Sequence, residues 1–427
     1  MRLPHICLAV LACATLTSFA QTASAPKVFT GARIITGTAR PPIENGVVVV
    51  RAGRIEAVGP AADVRIPAGA EQIALAGRTI IPGLINAHGH VGSTLGLKSG
   101  PEVNTEENVS RQLALYARYG VTTVASLGDD GPAGFRLRDE QARPTLNRAR
   151  LFVAGPVLTA NTPEEARLRV GEIAALKANF VKIRVDDNLG TTPKMPPEVY
   201  RAVIEEAHRR SLPVAVHLYY LEDARDLLRH GADFIAHSIR DREVDADFIA
   251  LIKSKGVAVC PTLTREVSAY VYESTPAFFQ DPFFRGEADP AVLRELENPT
   301  RQRALQTNPR AQAYKPALKM AQRNLKKLLD AGVPIAFGTD SGPPGRFQGY
   351  FEHMEIDLMA EAGLSPIEII RSATASAAAS LKLPDVGTLE SGKWADFVVL
   401  NANPLEDIRH LHGIQSVWIA GNRVPGR

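Results

Sequence analysis

A chain of 427 residues with 45% apolar and 22% charged side chains has ample material for a core and outgrows a single one, so a large domain with a smaller companion is expected. Lys+Arg at 49 against Asp+Glu at 46 leave a net charge of +3. That balance, with no basic stripe interleaved with aromatics, argues against nucleic acid or an anionic membrane surface as partner.

Residues 1–25 read as a secretory signal: Arg2 supplies the positive lead, Ile6 to Leu16 the apolar run, and small residues follow. Cleavage after Ser18-Phe19-Ala20 is preferred over Ala23-Ser24-Ala25, which Pro26 would follow. The run is shorter than the roughly 20 apolar residues of a membrane span, so no span and a periplasmic or secreted location are expected. Lipid attachment at Cys13, after Val10-Leu11-Ala12, is the alternative. Cys7 and Cys13 leave with the signal, and Cys260 alone makes no internal disulfide.

From Val28 to Ile80 short β-branched runs alternate with glycine. Gly46-Val47-Val48-Val49-Val50 and Arg54-Ile55-Glu56-Ala57-Val58-Gly59 flank the turn signal Ala52-Gly53, which predicts a hairpin. Asp396-Phe397-Val398-Val399-Leu400 and Ser416-Val417-Trp418-Ile419-Ala420 have the same character. Segments 26–82 and 385–427 are therefore expected to form one composite β-sandwich, with residues 83–384 as the inserted body.

Within that body, eight apolar runs alternate with helical stretches, the pattern of repeated βα units. The strands predicted are Leu84–His88, Val121–Leu127, Leu151–Ala154, Phe180–Val185, Val214–His217, Phe234–His237, Val257–Pro261 and Ile335–Thr339. Thr162-Pro163-Glu164-Glu165 and Ser365-Pro366-Ile367-Glu368 carry helix-start signals, and Gly120, Gly231, Gly256 and Gly332 carry stop signals. Eight such units predict an α/β fold of the closed (β/α)8 TIM-barrel type. Residues 262–308 interrupt the rhythm and contain Tyr270, Tyr272, Phe278, Phe279, Phe283 and Phe284. They fit either a helical excursion with its own small core or a pocket wall at the barrel mouth.

Barrels of this kind carry their chemistry at the C-terminal ends of the strands. Those ends hold His88 and His90 in Asn86-Ala87-His88-Gly89-His90, Lys182, His217, His237 and Asp340. In a strand the i, i+2 spacing of His88 and His90 turns both rings to one side. Imidazoles and a carboxylate are ligands for zinc or a similar metal. Each residue alone has a plainer reading: a lone strand-end histidine is usually a hydrogen-bonded core residue, Lys182 could snorkel, and Asp340 could cap a helix. Of ten histidines one lies in the signal, and four of the other nine falling at strand ends by chance is a poor account. Arg184, Arg240 and Arg265 lie near strand ends and could grip a carboxylate, although surface arginines are common. His353 could touch substrate or sit on a helix surface, and Cys260 fills space.

The Pro82-Gly83-Leu84-Ile85-Asn86-Ala87-His88-Gly89-His90 stretch, the Lys182, His217, His237 series and Thr339-Asp340 together resemble the metal-dependent amidohydrolase superfamily. The likeness is greatest to its imidazolonepropionase-like and Xaa-Pro dipeptidase-like branch. It extends over the mature chain to Gly387-Thr388-Leu389-Glu390-Ser391-Gly392-Lys393-Trp394-Ala395-Asp396. Asn86 departs from the Asp often found there. The resemblance implies two divalent metal ions, zinc by preference, bridged by a carboxylated Lys182 (N6-carboxylysine). His88, His90 and Asp340 would hold one ion, and His217 and His237 the other. Asp340 would act as general base and acid, and Tyr219, in a His-x-Tyr pattern with His217, as oxyanion donor. An unmodified Lys182 beside one metal, and Tyr219 as a pocket wall, are the alternatives. The implied activity is hydrolysis of an amide bond in a small molecule, a dipeptide or an N-acyl amino acid, by a homo-oligomer. A cyclic-amide hydrolase, a lactonase, or a binding protein that has lost catalysis are the competing functions, and the last predicts missing ligands.

Overall fold

The computed structural model describes residues 25–426. The expected signal segment, with Cys7 and Cys13, thus lies outside the described residues, apart from Ala25. Among the described residues no helix is long and apolar enough to cross a membrane.

Strands from both chain ends share one eight-stranded sheet. Its path runs Asn422–Arg423, Ile414–Ile419, Phe397–Leu400, Thr79–Pro82, Lys27–Ile34, Ile43–Arg51 and Arg54–Pro60, with Glu71–Ala74 pairing Lys27–Ile34 from the side. The ends meet where Phe397 pairs with Pro82 and Leu400 with Thr79 in antiparallel register. The hairpin turn falls at Ala52-Gly53, with φ of 49° and 82°, the left-handed pair that a tight hairpin needs. Phe29 packs edge-on to Phe397 at 4.9 Å and to Trp418 at 4.7 Å, an aromatic centre for the sheet's inner face.

The body is a barrel of parallel strands. Leu84–Gly89, Val121–Ser126 and Arg150–Val153 form one arc; Val181–Arg184, Val214–His217, Phe234–Ile235 and Ala258–Val259 form the other. A parallel bridge from Leu158 to Ile183 joins the arcs on one side. On the other side the eighth predicted strand, Ile335–Thr339, and the residues just after it make only isolated bridges: Ile335 pairs with Val259, and Ser341 with Gly89. The hydrogen bonds explain why it is not a regular strand. Phe337 N–H donates to the Ser372 carbonyl in a π-helical turn, and Thr339 and Asp340 N–H both converge on the His88 carbonyl. Gly338 permits that approach, since a Cβ there would stand 2.5 Å from Cys260 Sγ and 2.8 Å from His88 N.

The helix signals match the structure. Thr162 Oγ1 accepts from Glu165 N at 3.2 Å at the head of Pro163–Ala175, and Ser365 and Glu368 form a capping box. Gly120, Gly231, Gly256 and Gly332 all take positive φ. In the 262–308 excursion, Tyr272, Phe279 and Phe284 build a small core with Tyr119, Tyr350 and Phe351. Its first turn, Leu263–Ser268, instead carries buried Arg265 and Glu266, so the excursion holds both a core and charged groups beside the barrel mouth.

Candidate metal centre

Each strand-end imidazole is aimed by a partner on one ring nitrogen, which leaves the other for a ligand. His88 Nδ1 lies 2.7 Å from the Ala236 carbonyl, His90 Nδ1 3.1 Å from the Gly128 carbonyl, and His237 Nδ1 2.7 Å from Thr262 Oγ1. These three therefore offer Nε2. His217 is reversed: its Nε2 meets Asp186 Oδ2 at 2.8 Å, so Nδ1 is its free-standing nitrogen.

Three of the predicted ligands, His88, His90 and Asp340, converge, with Lys182 and His237 beside them. One ligand atom each from His88, His90 and Asp340 lies within 4.8 Å of the others. Asp340 Oδ1 is 2.9 Å from His90 Nε2 and 3.4 Å from His88 Nε2. Lys182 Nζ is 3.2 Å from His88 Nε2. The His237 ring is centred 4.7 Å from His88 and 4.1 Å from His217. His237 Nε2 is buried with no hydrogen-bond partner, an orphaned acceptor that a cation would satisfy.

The electrostatics favour ligand forms. Burial pushes His88 and His237 well below the usual imidazole range and His217 down to about 3, so all three rings are neutral. Burial alone would lower His90 too, but the hydrogen bond to Asp340 and its charge reverse the direction. Asp340 is held well below the carboxylate range: burial opposes this, and Arg346 with His88 and His90 outweighs it. Burial lowers Lys182 to about 8. Asp340 itself adopts φ 58°, a left-handed conformation that Asp tolerates better than most residues.

Other predicted residues have different surroundings. Tyr219 packs with Tyr314 and Ala317, its ring 4.6 Å from the Arg240 guanidinium, and burial pushes its hydroxyl up to about 12. Arg240 and Arg265 share Glu266, at 2.8 Å and 3.3 Å, and Arg184 bonds to Asn188. His353 is neither at the site nor on a surface: it is buried, with Nε2 2.9 Å from the Tyr119 carbonyl, because its helix packs against the aromatic excursion. Cys260 is buried and space-filling, as read.

Sequence reasoning missed several groups. Asp186 and Thr262, which orient two histidines, lie on loops after strands. Arg346 caps the second Asp340 oxygen and is held by Ser268 Oγ at 3.0 Å. Asn86 joins a buried network through Glu352. A cavity of about 550 Å³ opens against His90, between Asn104, Asp129, Asp130 and Pro343. A carboxylate two to four residues beyond each strand end was the only signal that could have flagged Asp130 and Asp186.

The family described as Amidohydrolase family matches residues 79–424. Among curated proteins, ochratoxinase of Aspergillus niger is 27% identical over 286 residues, 64% of this chain and 52% of the relative, so the match spans about half that relative's length. Imidazolonepropionase of Thermoplasma acidophilum is 22% identical over 89% of this chain and 88% of its own. Among solved structures, a Xaa-Pro dipeptidase with bound methionine superposes with a TM-score of 0.75, covering 93% of this chain and 99% of that one at 23% identity. At that identity the likeness shows the fold, a TIM barrel with a companion sheet.

Proposed function

The chain belongs to the amidohydrolase family, and from that premise we propose that it hydrolyses the amide bond of a small peptide-like substrate, a dipeptide or an N-acyl amino acid, at a centre of two divalent metal ions. The observation that carries this reading is the convergence of His88, His90 and Asp340 on one point, with Lys182 against His88 and a bare, buried His237 Nε2 alongside. Neutral imidazoles and an ionised carboxylate suit zinc, and both are what burial and neighbouring charge produce here. Bound ions supply a water-derived nucleophile near neutral pH and polarise the carbonyl.

The chain's own groups do the rest. Burial lowers the Lys182 amine to about 8, so a part of it is uncharged at neutral pH. Addition of that amine to carbon dioxide with loss of a proton would give an anionic carbamate, which would supply the oxygen ligands that divalent ions take and an ammonium lacks. His88, His90 and Asp340 would hold one ion and His217 and His237 the other. As water oxygen bonds to the carbonyl carbon, Asp340 takes its proton and returns it to the nitrogen as the C–N bond breaks. Tyr219, protonated with a hydroxyl at about 12, is the donor assigned to the developing oxyanion. The signal-like N-terminus supports action outside the cytoplasm on scavenged amides. A screen of Xaa-Pro, Xaa-Phe and N-acyl amino acids, with Asp340→Asn as control, tests the reading. Turnover of one class that falls at least about 10³-fold in the variant supports it, and undiminished turnover overturns the proton-transfer role.

A further inference from the structure

The cavity against His90 has a composition that the amide chemistry does not by itself require. Its volume of about 550 Å³ suits a small ligand, and no lysine or arginine lines it. Acceptors do. Asp130 is only 8% exposed, its Oδ2 held by Ala154 N at 2.9 Å and Gly155 N at 3.0 Å. Its Oδ1 is buried with no partner in bonding geometry, and the Ser126 hydroxyl lies near the carboxyl. Asn104 Oδ1 is likewise buried without a partner, while its Nδ2 faces the Asp129 carbonyl at 3.4 Å. Asp129 is exposed and takes φ 62° in the turn after Gly128.

Two buried acceptors with spare capacity and an exposed carboxylate beside them call for a donor that carries positive charge. A bare metal ion is a poor match. Among the described residues the group of metal-type side chains close enough to share an ion is His88, His90 and Asp340, which includes neither Asp129 nor Asp130. We propose that this cavity seats a cationic nitrogen on the acyl half of the substrate, in the simplest case the free α-ammonium of a dipeptide. Resting on the hydrolase reading, the inference narrows it: aminoacyl amides are preferred over N-acylated amino acids.

The test compares kcat/KM of the metal-loaded enzyme for Ala-Phe, N-acetyl-Ala-Phe and N-acetyl-Lys-Phe, in wild type and Asp129→Asn. Asn tolerates the left-handed backbone at 129, so the variant removes the charge and keeps the turn. The expected result is a preference of about tenfold or more for Ala-Phe over N-acetyl-Ala-Phe, expressed in KM and reduced toward parity in Asp129→Asn. N-acetyl-Lys-Phe matching Ala-Phe would support the cationic seat with the side-chain amine as its source. Equal turnover of Ala-Phe and N-acetyl-Ala-Phe, or a preference unchanged by Asp129→Asn, overturns the inference and leaves the hydrolase reading intact. Calorimetric binding of L-alanine and N-acetyl-L-alanine reads the cavity without turnover. Tighter L-alanine binding that weakens in Asp129→Asn keeps the seat even if none of the three amides is hydrolysed, the outcome that fails the hydrolase reading. Equal binding of the two overturns the seat.

Discussion

The Asn86 side-chain amide donates to the Glu352 carboxylate at 2.6 Å, with both residues fully buried. Glu352 also accepts from Thr339 Oγ1, Ser341 Oγ and Gly349 N, each at 2.6 Å. One carboxylate on a helix thus ties together the segments that carry His88 and Asp340. This also gives Asn86 a reason: an aspartate there would set a second buried carboxylate against Glu352. Glu352→Ala strands four donors and should cost about 3–5 kcal/mol in chemical unfolding and weaken metal affinity about 10–100-fold in chelator competition. A variant with wild-type affinity would show that the network does not position the site.

Glu266 is the shared counter-ion of Arg240 and Arg265, and all three side chains are buried. Glu266→Gln leaves two guanidiniums without a carboxylate, and denaturant unfolding should show a loss of about 3–5 kcal/mol. A loss under about 1 kcal/mol would mean that the pair is neutralised in another way.

Burial raises Asp130 from 3.8 to about 7, against the pull of Ser126 and two backbone N–H groups. A carboxyl raised on folding contributes stability that is whole below its unfolded value and lost as pH climbs through its folded one. Thermal scans should therefore show apparent stability falling between about pH 4 and pH 7, by at most about 1.4 kcal/mol per pH unit from this group. Asp130→Asn keeps an oxygen for Ala154 and Gly155 and should flatten that part of the profile. An identical profile in the variant would assign the slope to other groups.

Thr262 Oγ1 holds His237 Nδ1 at 2.7 Å. Thr262→Val keeps the shape and removes the partner, so zinc affinity measured with a chromophoric chelator should drop about 10–100-fold while the fold persists. Unchanged affinity would mean that packing alone aims the ring.

The candidate ligand residues stood out in the sequence because strand ends and the i, i+2 spacing of His88 and His90 are local properties of the sequence. The hairpin at Ala52-Gly53 and the caps at Thr162 and Ser365 were readable for the same reason. Glu352 and Arg346 were not: one comes from a helix and the other from a loop, and each acquires meaning only where the chain closes back onto the first strand. The irregularity of the eighth strand was not legible because its apolar run looks like the others: Ala336 N donates to the Val259 carbonyl and Ala87 N to the Phe337 carbonyl, as in a ladder, but Phe337 N turns to a helix carbonyl and Thr339 and Asp340 N to His88. His353 looked polar and surface-bound because helical periodicity does not show that the 262–308 excursion covers that face.

Metal content is the most direct measure of the proposed two-metal centre that Lys182 joins. Protein stripped with chelator, reloaded with zinc in bicarbonate and desalted should hold two equivalents per chain. Lys182→Ala should hold about one or fewer and lose amide hydrolysis in parallel. Wild-type protein that retains less than one equivalent, or that hydrolyses amides at full rate after stripping, would contradict the account.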